Sequence, residues 1–214
     1  IRLCLVGSEM CIRDRIRIYS VYFYTYLMDD SKKRTNRLIV FTIAYNVVEG
    51  CFAIFFGIEE NSTTLLSFGL DSVIEIFAST VAILGLSKLQ ILSEERAEKL
   101  IAYSFLMLIV FIVFKSTYDL INVNKPDPSF FGVIVASISI LIEGPLGYKK
   151  LILGREMNNP VIIAEAKETL FCLNLSILVI LGVGLNFLFS LWYFDPIAAL
   201  LMIPWLYKEY KEHR

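Results

Sequence analysis

Two acidic residues, Asp71 and Glu75, stand four residues apart in the otherwise apolar stretch from Thr64 to Leu86, TLLSFGLDSVIEIFASTVAILGL. In a helix this spacing places both carboxylates on one face, about one turn apart. Divalent cations take carboxylate oxygens as ligands. The stretch is long enough to cross a bilayer, which takes ~20 apolar residues. Because a charge at mid-membrane costs at least ~2.5 kcal/mol, the pair predicts a cation site between membrane-spanning helices.

A second polar stripe lies in the segment AEAKETLFCLNLS, where Glu165, Glu168, Cys172 and Ser176 follow one another at steps of three, four and four. These steps keep the side chains on one helical face. Two helices that each offer two ligands one turn apart can close a four-ligand site. Carboxylate with thiolate suits Zn²⁺ best, followed by Fe²⁺, Mn²⁺ and Co²⁺. The predicted metal ligands are Asp71, Glu75, Glu168 and Cys172, with Asn46, Glu49 and Glu165 as accessory groups.

The acids also have structural interpretations. Asp71 and Glu75 are compatible with an interhelical hydrogen-bond network or with a pairing to Lys167. Glu165 and Glu168 lie near the start of their segment, where a first-turn acid is stabilised by the helix dipole.

The remaining candidate residues also have more than one interpretation. Cys172 taken alone is typical of a small buried hydrophobe, and its place on the acidic stripe is what favours a ligand. Glu49, three residues after Asn46, fits a second layer around the site, an access group or a packing contact. Glu143, near the end of the fourth apolar segment, is a further acid within an apolar stretch.

Composition places the chain among integral membrane proteins. Hydrophobic residues make up 57% of its 214 residues and charged residues 19%, and the mean hydropathy is +0.65. Soluble domains average about 45–50% apolar and ~25% charged residues. A net charge of −1 argues against nucleic acid as a partner, and the lone His213 leaves no imidazole for a site within the membrane. The four cysteines show no spacing typical of a disulfide framework or a zinc knuckle.

The N-terminal residues are set aside from the fold prediction. Leu5 to Arg15, LVGSEMCIRDR, resembles the translation of a transposase-type DNA sequencing adapter. We therefore treat 1–15 as an artefact rather than as an ordinary polar segment. The native start is then Met28 or lies upstream. The prediction assigns 16–37 to an N-terminal cytoplasmic segment, 38–207 to the membrane domain and 208–214 to a cytoplasmic tail.

Six apolar segments predict an all-α integral membrane protein with a bundle of six transmembrane helices. Turn and charge signals separate them. The segments are Leu38–Ile58, Thr64–Leu86, Leu100–Ile121, Phe130–Leu146, Val161–Phe189 and Leu191–Leu206.

Basic residues collect on one side of this arrangement, which predicts that both termini are cytoplasmic. The opposite side has Lys125 in a loop and Lys115 near the end of the third segment. The cytoplasmic set is Lys32, Lys33, Arg34, Arg37, Lys88, Arg96, Lys99, Lys149, Lys150, Arg155, Lys208, Lys211 and Arg214. A prokaryotic cytoplasmic membrane is the expected location.

From about Lys33 to Tyr207 the chain resembles the membrane domain of the cation diffusion facilitator (cation efflux) family. LLSFGLDSVIE and AEAKETLFC match the two spans that carry that family's metal ligands, and Asn46 matches a common first-span Asn. RAEKLIAYSFLMLIVFIVFKSTYDL and DPIAALLMI resemble its third and sixth spans. The chain departs from the pattern because Cys172 stands where Asp is usual, the site has no His, and neither a cytoplasmic metal-binding domain nor a His-rich loop is present. A short branch made of the membrane domain alone fits these departures.

The resemblance implies a homodimer in the lipid bilayer that exports a divalent cation, as transported substrate rather than cofactor, in exchange for protons. A non-transporting metal sensor or partner subunit with the same site is the alternative. An intramembrane enzyme is disfavoured because the sequence shows no nucleophile motif, so no catalytic residue is predicted. A channel is disfavoured because carboxylate and thiolate ligands hold ions tightly.

Overall fold

The computed structural model describes residues 33–86, 94–127 and 129–212, apart from the side chains of 82, 85, 86 and 94–98. The adapter-like residues 1–15, the segment 16–32, Lys88 and the last two residues lie outside this range. The described residues form six α-helices. They are α1 Lys33–Glu59, α2 Thr63–Leu86, α3 Glu94–Asn122, α4 Phe130–Glu156, α5 Pro160–Phe189 and α6 Phe194–Glu212.

The all-α membrane bundle predicted from the sequence is confirmed. In five of the six described helices, α1 to α5, an apolar stretch is long enough to cross a membrane. The sixth helix carries Asp195 in its first turn and ends in the charged run KEYKE, so its apolar part is shorter. Side chains on the outer surface are large and apolar, with Met107, Phe114 and Leu141 between 73% and 78% exposed. Such a surface is suited to lipid rather than to water.

Helix α4 is ten residues longer than predicted, since it ends at Glu156 rather than at Leu146. The charged sequence after Leu146 remains helical because one face of it, with Gly147, Lys150 and Gly154, is buried. The extension places Glu143 at the middle of α4 instead of near its end. It also makes Lys150 a fully buried residue, so its assignment to a cytoplasmic loop was wrong.

The other helix ends follow local signals. Ser129 accepts a hydrogen bond from the backbone N–H of Gly132 at 2.8 Å and caps α4. Asn159 accepts from Val161 N at 3.0 Å and caps α5, whose first residue is Pro160. Helix α6 begins at Phe194 rather than at Leu191, because Ser190 ends α5 in the left-handed conformation and a turn follows.

Helix α2 lies at the centre of the bundle, in contact with α3, α5 and α6. On its remaining side Gly50 of α1 approaches Ser72 and Gly69 so closely that an added Cβ would lie 3.2 Å from the Ser72 Cβ. Helix α4 packs along α5 and meets α1 where the rings of Phe56 and Phe131 stack at 4.8 Å. The two helices that carry the predicted metal ligands, α2 and α5, therefore touch each other inside the bundle.

Candidate metal site

The four predicted ligands are all buried in the bundle. Asp71 is 3% exposed, Glu75 5%, Glu168 7% and Cys172 1%. The Asp71 carboxylate lies within electrostatic range of Glu75 on its own helix and of Glu168 on α5. Like charges that are buried together repel each other strongly in a medium of low dielectric constant. A cation between α2 and α5 would offset this repulsion.

The structure excludes the helix-dipole interpretation of the α5 acids. Helix α5 begins at Pro160 and its first turn contains no acidic residue. Glu165 and Glu168 are the sixth and ninth residues of the helix, beyond the turn in which the dipole acts. Their burial therefore has another cause.

For Glu165 the cause is an ion pair that the sequence did not predict. The Lys150 Nζ lies 2.6 Å from Glu165 Oε1, and both side chains are inaccessible or nearly so. Lys150 also donates to Thr42 Oγ1 at 2.9 Å and to Thr169 Oγ1 at 2.6 Å. These contacts use all three N–H donors of the ammonium group. Ser79 adds a hydrogen bond to Glu165 Oε1 at 3.0 Å.

Glu75 is connected to this network through Thr169. The Thr169 hydroxyl donates to Glu75 Oε1 at 2.7 Å while it accepts from Lys150. The hydroxyl thus orients the carboxylate and links it to a positive charge. Lys167, which the sequence offered as a partner for the α2 acids, is exposed, so that pairing was wrong.

A second group of candidate ligands also includes Cys172. Glu49 of α1, Glu143 of α4 and Cys172 of α5 each offer one ligand atom, and these atoms lie within 4.8 Å of one another. Among the described residues, no other three His, Cys, Asp or Glu side chains bring their ligand atoms this close together. No three of the predicted ligands Asp71, Glu75, Glu168 and Cys172 come that close to one another. The four-ligand set therefore remains a prediction. Cys172 is a member of both groups.

Sequence reasoning noted Glu143 but did not assign it to a site. The signal available was its place on the polar face of α4, four residues after Ser139 and seven before Lys150. The predicted end of the fourth segment at Leu146 hid this signal, since it set Glu143 near the membrane surface.

Acids exceed bases among the buried side chains. Of the charged side chains that the structure describes as buried, nine are acidic and one, Lys150, is basic. The acids are Glu49, Asp71, Glu75, Asp119, Glu143, Glu165, Glu168, Asp195 and Glu209. Such an excess favours binding of cations, either metal ions or protons.

Two of these acids have a structural role at the other end of α2. Asp195 accepts from the Thr63 backbone N–H at 2.8 Å and from the Ser62 hydroxyl at 2.6 Å, so it caps α2 from α6. Asp119 accepts from Thr63 Oγ1 at 2.6 Å and from Lys115 Nζ at 2.7 Å. Both carboxylates are fully engaged and are not metal candidates.

Comparison with known proteins agrees with the fold and with this polar interior. The family model described as the cation efflux transmembrane domain matches residues 39–208. The match covers most of the chain, so the protein belongs to the cation efflux family, as its resemblance indicated. A search of curated proteins gives no match. The domain supports a metal cation transporter in a multi-pass membrane protein.

Proposed function

We propose that this protein exports divalent metal cations, with Zn²⁺ as the best-suited substrate, through Asp71, Glu75, Glu168 and Cys172. The observation that carries the proposal is the burial of these four side chains on two helices in contact, within a matched cation efflux domain. The transported ion is exchanged for protons by a homodimer, with both termini in the cytoplasm of a prokaryotic cell.

The chemistry of the ligands supports proton exchange. Carboxylates and a thiolate bind a metal ion when they are deprotonated, and protons compete for the same lone pairs. Metal binding from the cytoplasm therefore releases protons, and protonation from the opposite side releases the metal. Rocking of one helix pair against the other would expose the same site to each side in turn.

The Lys150 network holds one part of this site in place. Thr169 donates to Glu75 and accepts from Lys150, whose charge is also balanced by Glu165. Hydrogen bonds of this kind orient metal ligands and typically change affinity by about 10–100-fold when removed. Asp71 has no such link to Lys150 and is the ligand whose removal tests the site most directly.

The experiment is Zn²⁺ flux in proteoliposomes with a pH gradient imposed or collapsed. Asp71→Asn is expected to abolish flux while the protein is made and folded normally. Asp119→Asn is the matched control, because Asp119 is an equally buried acid that is bonded to Thr63 and Lys115 away from the site. Flux that requires Asp71 and follows the pH gradient establishes a proton-coupled exporter. Unchanged flux in Asp71→Asn contradicts the assignment.

The alternative function is a non-transporting metal sensor or partner subunit that uses the same four ligands. It predicts saturable Zn²⁺ binding that depends on Asp71, without flux under either gradient. If Zn²⁺ gives neither binding nor flux, the same assay with Mn²⁺ and Fe²⁺ decides between another substrate and the absence of a site.

A further inference from the structure

We infer that Glu49, Glu143 and Cys172 form a second cation site, which shares Cys172 with the proposed transport site but uses neither Asp71, Glu75 nor Glu168. Three helices contribute to it, α1, α4 and α5, and its ligand atoms lie within 4.8 Å of one another. The inference rests on these contacts and holds whether or not the protein transports metal.

Glu143 gives the strongest indication that a cation binds here. Its side chain is 1% exposed, and neither carboxylate oxygen has a hydrogen-bond partner among the residues that the structure describes. The polar groups that face it are Ser139, Cys172 and the carboxylate of Glu49, and the carboxylate of Glu75 lies within electrostatic range. A buried carboxylate without partners is unfavourable unless a cation or a proton neutralises it. Another buried glutamate, Glu165, has its cation in Lys150.

Lys150 does not form an ion pair with Glu143, although both residues are on α4. The three donors of its ammonium group are taken by Glu165, Thr42 and Thr169. Among the described residues, no basic side chain other than Lys150 is buried. The charge that complements Glu143 must therefore be an ion that binds from solution or a proton.

Glu49 is oriented as metal-binding carboxylates usually are. Tyr45 donates to its Oε1 at 2.9 Å, and Ser72 donates to its Oε2 at 3.3 Å. Such outer hydrogen bonds fix the direction of a ligand and leave a lone pair on each oxygen for an ion. Asn46, one turn earlier on α1, is fully buried, and neither side-chain amide atom has a hydrogen-bond partner among the described residues.

The spacing of the three ligand atoms suits an ion between them. Atoms no more than 4.8 Å apart have a common centre at most about 2.8 Å from each, which is 4.8 Å divided by √3. Zinc bonds of ~2.0–2.3 Å require a movement of about 0.5–0.8 Å per ligand. Glu49 borders a cleft of 280 Å³ between α1 and α4. Two carboxylates with one thiolate select a borderline cation such as Zn²⁺ or Co²⁺ over Mg²⁺ or Ca²⁺.

The test is a Co²⁺ titration of the purified protein, because thiolate ligation of Co²⁺ produces a charge-transfer absorption that reports on Cys172. The native protein is expected to bind two equivalents and Glu143→Gln one. Glu49→Gln is a second variant with the same expectation, should Glu143→Gln fold poorly. Asp119→Asn, with a buried acid outside both groups, is expected to bind as the native protein does.

The Asp71→Asn variant separates this inference from the proposed transport site. It is expected to retain the thiolate absorption and to bind one equivalent, because Glu49, Glu143 and Cys172 are intact. A native protein that binds a single equivalent, lost in Glu143→Gln and kept in Asp71→Asn, also supports the second site and argues against the predicted one. The inference is overturned if Glu143→Gln and Glu49→Gln bind as many equivalents as the native protein. Loss of the thiolate absorption in Asp71→Asn, or an absence of Co²⁺ binding altogether, overturns it too.

Discussion

At the residue scale, two glutamates buried to the same degree differ in their neighbours. Glu165 has the ammonium group of Lys150 at 2.6 Å, whereas Glu143 has no hydrogen-bond partner among the described residues. A buried ion pair is tolerated because each charge compensates the other, and an unpaired charge must find a cation. This difference in partners makes Glu165 a structural acid and Glu143 a candidate metal ligand. The sequence does not show which of the two has a partner.

Replacing Lys150 by Met should destabilise the protein by about 3–5 kcal/mol, because Glu165 then becomes an uncompensated buried charge. The double change Lys150→Met with Glu165→Gln should recover at least half of that loss. The free energy of unfolding in detergent micelles measures both effects. If the double variant is as unstable as the single one, Lys150 acts through its contacts to Thr42 and Thr169 rather than through the ion pair.

Thr169→Val keeps the shape of the side chain and removes the hydroxyl that donates to Glu75 at 2.7 Å. If Glu75 is a metal ligand, Zn²⁺ affinity should fall by about 10–100-fold, since an orienting hydrogen bond is lost. Isothermal titration of Zn²⁺ measures the change. Ser176→Ala is the matched control on the same face of α5, because Ser176 bonds to Ser139 at 2.9 Å and does not contact Glu75. Equal affinities in the native protein and Thr169→Val would remove Glu75 from the ligand set.

At the scale of helices, close approach depends on position rather than on the presence of glycine. Helix α5 carries two glycines two residues apart, Gly182 and Gly184. An added Cβ at Gly182 would lie 2.7 Å from the Ala198 Cβ of α6, whereas at Gly184 the nearest atom is 3.7 Å away. Close helix packing therefore requires a glycine at position 182 and does not require one at position 184.

The pair gives a matched test of helix packing. Gly182→Ala should destabilise the protein by about 1–3 kcal/mol, because α5 and α6 must separate to admit the methyl group. Gly184→Ala should leave stability unchanged or raise it by up to ~1 kcal/mol, since alanine is the better helix former and the added Cβ would make only ordinary van der Waals contacts. Thermal unfolding of the two variants in the same detergent compares them. Equal losses of stability would contradict the close contact between α5 and α6.

At the scale of the whole molecule, charge is distributed unevenly between the two ends of the bundle. Among the described residues, Arg34, Arg37 and Lys149 meet at one end around a shared cleft. At the other end α1 finishes with the acid Glu59, and the turn after it begins with Glu60. By the rule that positive charge stays inside, the basic end is expected to face the cytoplasm.

Cysteine labelling tests this orientation. In a background with the natural cysteines replaced by Ser, Glu156→Cys reports on the α4–α5 end and Glu59→Cys on the α1–α2 end, and both positions are exposed. A maleimide that cannot cross membranes should label Glu59→Cys in intact cells. Glu156→Cys should react only after the cells are opened. The reverse pattern would place the termini outside.

The sequence by itself determined the membrane class, the number of helices, the family and the burial of the four predicted ligands. Those properties follow from local patterns: apolar length, turn residues and four-residue spacing are all read within one segment. The prediction of a helix end failed where contacts with a neighbouring helix determine that end. Helix α4 continues past Leu146 because α5 buries one face of its charged end, and no local pattern contains the neighbouring helix.

Only the tertiary structure decided which acids meet. Glu49, Glu143 and Cys172 are brought together from three helices, while Lys150 selects Glu165 from the same stripe that holds Glu168. Spacing along a helix fixes the face on which a side chain lies. The rotation and vertical offset of each helix against its neighbours depend on contacts between residues far apart in the chain, and these set the distance between ligands.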